Sequence, residues 1–207
     1  MTPDWYTRLY RIDLKQIPKR LKKESLLKVI PESPFPLKLE VERFAYYFRR
    51  ESRYRMVPFK ACDDNFGDPF TAYLFPSPDS SVWAGACCFL RAYLPELEQS
   101  CYSLEWVWLH PYYRSRGILN SHWSTLRANH GDFWVTRPLS SAMKGFLLRN
   151  ARDSAFYRLL EDDNPDYSDI KAKLRAQPNQ QKPQPLDPAT ADILAKLLRP
   201  IPSKKDG

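Results

Sequence analysis

Residues 70–109 constrain the fold of this chain more than any other stretch. Three runs rich in aromatic and β-branched residues, 70–76 (FTAYLFP), 81–93 (SVWAGACCFLRAY) and 101–109 (CYSLEWVWL), read as strands. Pro76, Ser77, Pro78, Asp79 and Ser80 are turn residues, so the first two strands are expected to form an antiparallel hairpin. After a short basic turn containing Gly117, the periodicity predicts a helix over 118–129 with Gly131 as its C′ residue. Residues 132–136 (DFWVT) read as a further strand. Ser140 is placed to cap a helix over 141–150, with Ala142, Met143, Phe146 and Leu147 inward. Strands followed by alternating helix and strand give an α+β class.

Around this core the sequence is organised differently. Residues 5–12 fit a strand or a helix start. Pro18 permits a helix over 19–30 on Leu21, Leu26, Leu27 and Ile30, and three prolines make 31–37 (PESPFPL) a rigid connector. Residues 38–55 look helical, with Leu39, Val41, Phe44, Tyr47 and Phe48 recurring at two to four. Another helix is expected over 153–161. Residues 162–187 read as a proline-rich linker and 188–199 as a short amphipathic helix with an apolar patch. That patch suits docking on its own core, on a second copy in a homodimer, or on another protein. The expected organisation is therefore a basic, mainly helical region over 1–60, a core over 61–161, and an arm over 162–207.

Composition excludes several classes. Aromatic residues make up 14% of the 207, too many for a solvating chain, and 6 Gly against 19 Pro with no triplet period excludes a collagen-like one. No run approaches about 18 apolar residues, so no membrane span is expected. The polar start MTPDWYTRLYRIDLKQ lacks the apolar segment of a secretory signal, and the expectation is a cytoplasmic chain. Cys62, Cys87, Cys88 and Cys101 contain no CxxC pair and read as reduced, buried thiols, with no metal site expected. Net charge is +8, unevenly spread: 15 Lys/Arg stand against 7 Asp/Glu over 1–60, 9 against 14 over 61–170, and 8 against 3 over 171–207. Basic arms on an acidic middle are compatible with an anionic partner, and equally with a solvated surface.

The chemistry is expected where the third strand gives way to the helix. Backbone N–H groups at a helix start have no intrahelical acceptor, and the helix dipole adds partial positive charge. Gly117 removes a side chain at the point of closest approach, while Arg114 and Arg116 add full charges. Such a turn suits a diphosphate. Leu109-His110-Pro111 followed by Arg114-Ser115-Arg116-Gly117-Ile118-Leu119 resembles the signature of the GCN5-related N-acetyltransferase (GNAT) family, Arg/Gln-x-x-Gly-x-Gly/Ala after a strand and an upstream Pro. It matches at Arg114, Gly117 and Pro111 and departs at Leu119.

The resemblance spans about 70–150. It implies a mixed, mostly antiparallel sheet flanked by helices, and acetyl-CoA as cofactor. The amides of Arg116, Gly117, Ile118 and Leu119 would hold the diphosphate with Ser115 and Arg114 beside it. The backbone of Val107, Trp108 and Leu109 would pair with the pantetheine arm in a V-shaped gap facing 132–136. It implies transfer of an acetyl group to an amine by direct attack on the thioester, with Glu105 where relatives often carry a general base. His110 is a second candidate base. Where relatives often place an acidic Tyr this chain has Phe146, with Leu139 at the position of an upstream Asn. Ser140, Ser141, Tyr112 and Tyr113 remain as proton donors. The elements before the hairpin usually shape the acceptor groove; here they are the basic residues 1–60, which suit an acidic or phosphate-bearing acceptor linked to protein or RNA. Two other readings stand beside the enzyme: a binding protein that keeps the fold without turnover, and a nucleic-acid-binding module stacking bases on Tyr6, Tyr10, Tyr46, Tyr47 and Phe48 among arginines.

Overall fold

The structure, a computed structural model, describes residues 12, 14–21, 26–62, 70–94 and 99–154. A five-stranded sheet runs in the order β1 (Leu27–Val29), β2 (Thr71–Pro76), β3 (Trp83–Leu94), β4 (Gln99–Leu109), β5 (Trp134–Val135). The first four strands are antiparallel neighbours and β5 is parallel to β4. Helix α1 (Phe35–Ser52) lies on one face. Helices α2 (Ile118–His130) and α3 (Ser141–Asn150) lie on the other. The class is α+β with a mostly antiparallel sheet, as expected.

Period-two alternation sorts each strand between the two faces. In β2, Ala72 and Leu74 pack towards α1, while Tyr73 and Phe75 pack towards α2. Helix α1 meets the sheet with Leu37, Val41, Phe44 and Ala45, spaced four, three and one apart, as one helical stripe. Burying each of the larger side chains in that stripe stabilises by about 1.5–3 kcal/mol. Against them stand Trp106 and Trp108 of β4; Phe44 and Tyr47 lie 5.7 and 5.3 Å from Trp108 by ring centroids. Gly85 of β3 is required by proximity: a Cβ there would lie 2.2 Å from the carbonyl oxygen of Trp108.

Several expectations need correction. The described part of 19–30 is not the expected helix: a 3-10 turn covers Lys19–Leu21, and Leu27–Val29 is the edge strand, registered on Ala72–Leu74. The region 1–60 thus supplies a strand of the same sheet as well as a helix. Helix α1 begins inside the expected connector, with Pro34 at its cap and Pro36 in its first turn, where a missing N–H costs nothing. Ala142 is exposed rather than inward, and Cys62 is exposed while the other three cysteines are buried. The readings at 5–11, 155–161 and 162–199 lie outside the described residues. Among those described, no helix is long and apolar enough to cross a membrane.

Candidate functional site

A gap opens between β4 and β5, and the register explains it. Cys88 faces Trp106 and Phe89 faces Leu104, so Glu105 has no partner on β3 and forms a β-bulge. A bulge bends its strand and re-aims the side chain it carries. On the other edge β5 pairs only with Ser103 and Leu104, and the last rung is the Thr136 N–H to the Leu104 carbonyl at 3.0 Å. Pro138 follows and has no N–H to continue the ladder. Beyond that point, over the five residues to Leu109, β4 stays paired with β3 but has no strand partner on its other edge among the described residues.

The resulting cavity measures about 270 Å³. Its walls are Leu104 to Val107 of β4, then Val135, Thr136, Pro138, Leu139, Ser140 and Met143 around the start of α3, and Phe48, Ser52 and Tyr54 at the end of α1. Phe48 stands 5.7 Å from Tyr54 and 6.0 Å from Trp106, which makes that side aromatic. Glu105 brings the carboxylate. Its Oε1 accepts the Thr136 hydroxyl at 3.0 Å, and Thr136 Oγ1 lies 2.8 Å from the hydroxyl of Ser103. Thr136 has one hydroxyl proton, so its donation to Glu105 makes Ser103 the donor to Thr136. Carboxylate orientation is thereby fixed from inside the protein.

The free edge of β4 is narrower than expected. His110 N–H bonds to the Ala84 carbonyl, and alternation along an antiparallel ladder then turns the backbone groups of Trp108 towards β3 and those of Val107 and Leu109 towards the gap. The Leu109 carbonyl is already taken by Arg114 Nε at 2.8 Å. Val107 and the Leu109 N–H therefore carry that edge.

At the end of β4 the chain enters the basic turn. His110 Nδ1 accepts the Tyr112 N–H at 3.2 Å, and Pro111–Tyr113 form one 3-10 turn. Ser115 and Gly117 both adopt left-handed backbone, φ 58° and 80°. Gly117 caps α2, and the first intrahelical bond runs from the Ser121 N–H to the Gly117 carbonyl at 2.8 Å. The N–H groups of Ile118, Leu119 and Asn120 consequently have no acceptor within the helix. Among the described residues, its chain neighbours apart, no atom lies within 4 Å of where a Gly117 Cβ would sit, so the turn is open there. Leu119 packs its side chain against the core beneath and does not fill it. Arg116 is exposed and stacks over the Tyr112 ring at 4.1 Å.

Three sequence candidates have other surroundings. Arg114 is not free for an anion: its guanidinium makes a two-pronged pair with Glu51, both contacts 2.5 Å, and Trp108 Nε1 donates to the same carboxylate at 2.7 Å. It braces the turn against α1. Tyr113 turns its hydroxyl to Ser77 in the β2–β3 turn, where burial, then the Asp79 charge, raise its pKa. It does not line the gap. Ser141 is exposed and likewise outside the cavity wall, whereas its neighbour Ser140 lines the cavity and caps α3, accepting the Met143 N–H at 3.1 Å. Phe146 packs on Trp123 at 4.9 Å, away from the gap. The sequence reading missed Phe48, Ser52, Tyr54 and Thr136. A run of apolar and Arg residues at the end of a helix gives no local sign that it borders a cavity more than 50 residues away.

No family model and no curated protein matches the chain. Among solved structures, it is similar to an aminoglycoside acetyltransferase from an uncultured soil metagenomic sample, at 12% identity and a TM-score of 0.37, covering 69% of this chain and 91% of that one. It is also similar to a structure described as "a possible acetyltransferase from Clostridium difficile 630", at 12% identity and a TM-score of 0.39, covering 70% and 95%.

Proposed function

We propose that this chain is an acetyl-CoA-dependent N-acetyltransferase. One observation carries the reading: the bulge at Glu105 opens a gap with a carboxylate on its wall and a β4 edge without a strand partner along it, and β4 leads on into an open, N–H-rich helix start. The residues present fit the cofactor. The amides of Gly117 to Asn120 and the guanidinium of Arg116 would hold a diphosphate, and the Val107 backbone would hold the amide-bearing arm. When bound, acetyl-CoA supplies an activated acyl thioester.

The chain's own residues then do three things. Glu105, oriented by Thr136 and Ser103, takes the proton of the entering amine at the carboxylate oxygen not committed to Thr136. The Phe48, Tyr54 and Trp106 wall keeps water from the amine's path. The hydroxyls of Ser140 and Tyr54 line the same cavity and are the proton sources for the departing sulfur; Ser140 keeps its O–H proton available, because its oxygen is the acceptor in the helix cap.

The test is thermal denaturation of the purified chain with and without CoA. Stabilisation is expected, of about 2.7 kcal/mol at one hundred times Kd. Gly117→Asp strains a left-handed position and puts a carboxylate in the cradle, so it abolishes the effect while the free protein still folds. Absence of any CoA-dependent shift in the wild type would refute the proposal.

A further inference from the structure

The gap has two electrical poles. The cavity is lined by Glu105, which brings a carboxylate, and by the aromatic residues Phe48, Tyr54 and Trp106, a combination that attracts an ammonium group. Outside, the last turn of α1 and the residues after it carry Arg49, Arg50, Arg53 and Arg55, all exposed. Arg53 and Arg55 are the chain neighbours of Ser52 and Tyr54 in the cavity wall, so two exposed arginines are carried on the backbone segment that forms this side of the mouth. Arg53 is held in left-handed backbone, φ 57°, at the helix terminus.

Among the described residues, the nearby carboxylates are engaged elsewhere. Glu51 is committed to Arg114 and Trp108, and Glu42 accepts the Ala61 N–H at 3.1 Å. Among the described residues none of the four arginines has a carboxylate partner. A polycationic acceptor would meet like charge on entry. An acceptor with its amine next to negative charge would match both poles at once.

Resting on the enzyme reading above, we infer that the acceptor is an amine flanked by carboxylates, as at the start of an acidic peptide: the amine reaches Glu105 and the carboxylates stay at the lip with Arg53 and Arg55. A free acidic amino acid has the same chemistry on a smaller body.

The experiment uses the full chain with CoA and peptides bearing a free α-amine and a fluorophore at the far end. One begins Glu-Glu, one Lys-Lys and one Ser-Ala. Fluorescence anisotropy is expected to show the acidic peptide binding on the order of tenfold tighter than the neutral one, two exposed ion contacts being worth a few-fold each. The preference should shrink in high salt and vanish in Arg53→Gly/Arg55→Ser, a pair chosen because Gly suits the backbone at 53. The CoA-dependent thermal shift of that variant should be unchanged.

Competition by free glutamate as effective as by the peptide would identify the small-molecule source. Equal binding of acidic and basic peptides, no binding of any, survival of the preference in the double variant, or displacement of the peptide by a single-stranded oligonucleotide at lower concentration would each overturn the inference. None of these outcomes alters the CoA shift. Loss of that shift in the wild type would instead remove the enzyme reading, and the two failures are therefore separable.

Discussion

Acidification should destabilise this fold through His130. The side chain ends α2 and is buried, stacked 4.1 Å from Phe89 and edge-on to Tyr102. Its Nε2 lies 2.9 Å from the hydroxyl of Tyr73, which also accepts from Asn129 Nδ2 at 3.1 Å. Among the described residues the Nδ1 atom has no hydrogen-bond partner. Burial, and secondarily the Lys28 ammonium, push the imidazole pKa down from 6.5 to about 3. The folded chain thus keeps His130 neutral where the unfolded chain protonates it. A depressed folded pKa means that stability is full above the unfolded value and is lost as pH falls from there towards the folded value. Each unit is worth about 1.4 kcal/mol, so moving from pH 7 to pH 5 should cost about 2 kcal/mol from this group. Urea denaturation at both pH values measures it. His130→Phe keeps the ring stack and removes the titration, and its stability should fall between pH 7 and pH 5 by about 2 kcal/mol less than that of the wild type. Equal losses in the two proteins would refute the reasoning.

Three further perturbations bear on the gap. Gly85→Ala places a Cβ against the Trp108 carbonyl, backbone that cannot swing aside; a loss of about 3 kcal/mol, with weakened CoA binding as β4 shifts, should appear in denaturation and calorimetry. Glu51→Gln breaks the charged pair with Arg114 and should cost about 2 kcal/mol; a double-mutant cycle with Arg114→Gln, non-additive in both stability and CoA affinity, checks the brace. Thr136→Val removes the donor to Glu105 and should lower kcat on the order of tenfold or more without moving the KM for acetyl-CoA, and Thr136→Ser should restore it.

The legible parts of the sequence were those written in local chemistry. Aromatic runs broken by Pro76 to Ser80 revealed β2 and β3, and Gly117 and Gly131 bracketed α2 within a residue. The strand Leu27–Val29 was hidden because three residues carry no period of their own; its conformation comes from pairing with β2, more than 40 residues on. Helix α1 started earlier than expected because prolines read as a connector are also good first-turn residues. Glu105 could be singled out by its place on a strand, but its bulge is a property of the register against β3. Arg114 looked like an anion ligand because its carboxylate partner stands 63 residues away. The sequence placed Ser140 at the cap of α3, but only the folded chain shows that Ser140 lines the cavity and Ser141 does not.

The brace at Glu51 also sets which wall of the gap can give. On one side, β4 is backed by its long pairing with β3 and tied through Trp108 and Arg114 to α1, so strand, basic turn and helix move as a single block. On the other side stands a two-residue strand with two registered partners. A guest thicker than the resting slot will displace β5 and the head of α3 before it bends the opposite jaw. Selection for bulkier or slimmer guests would then be written in residues 134–143.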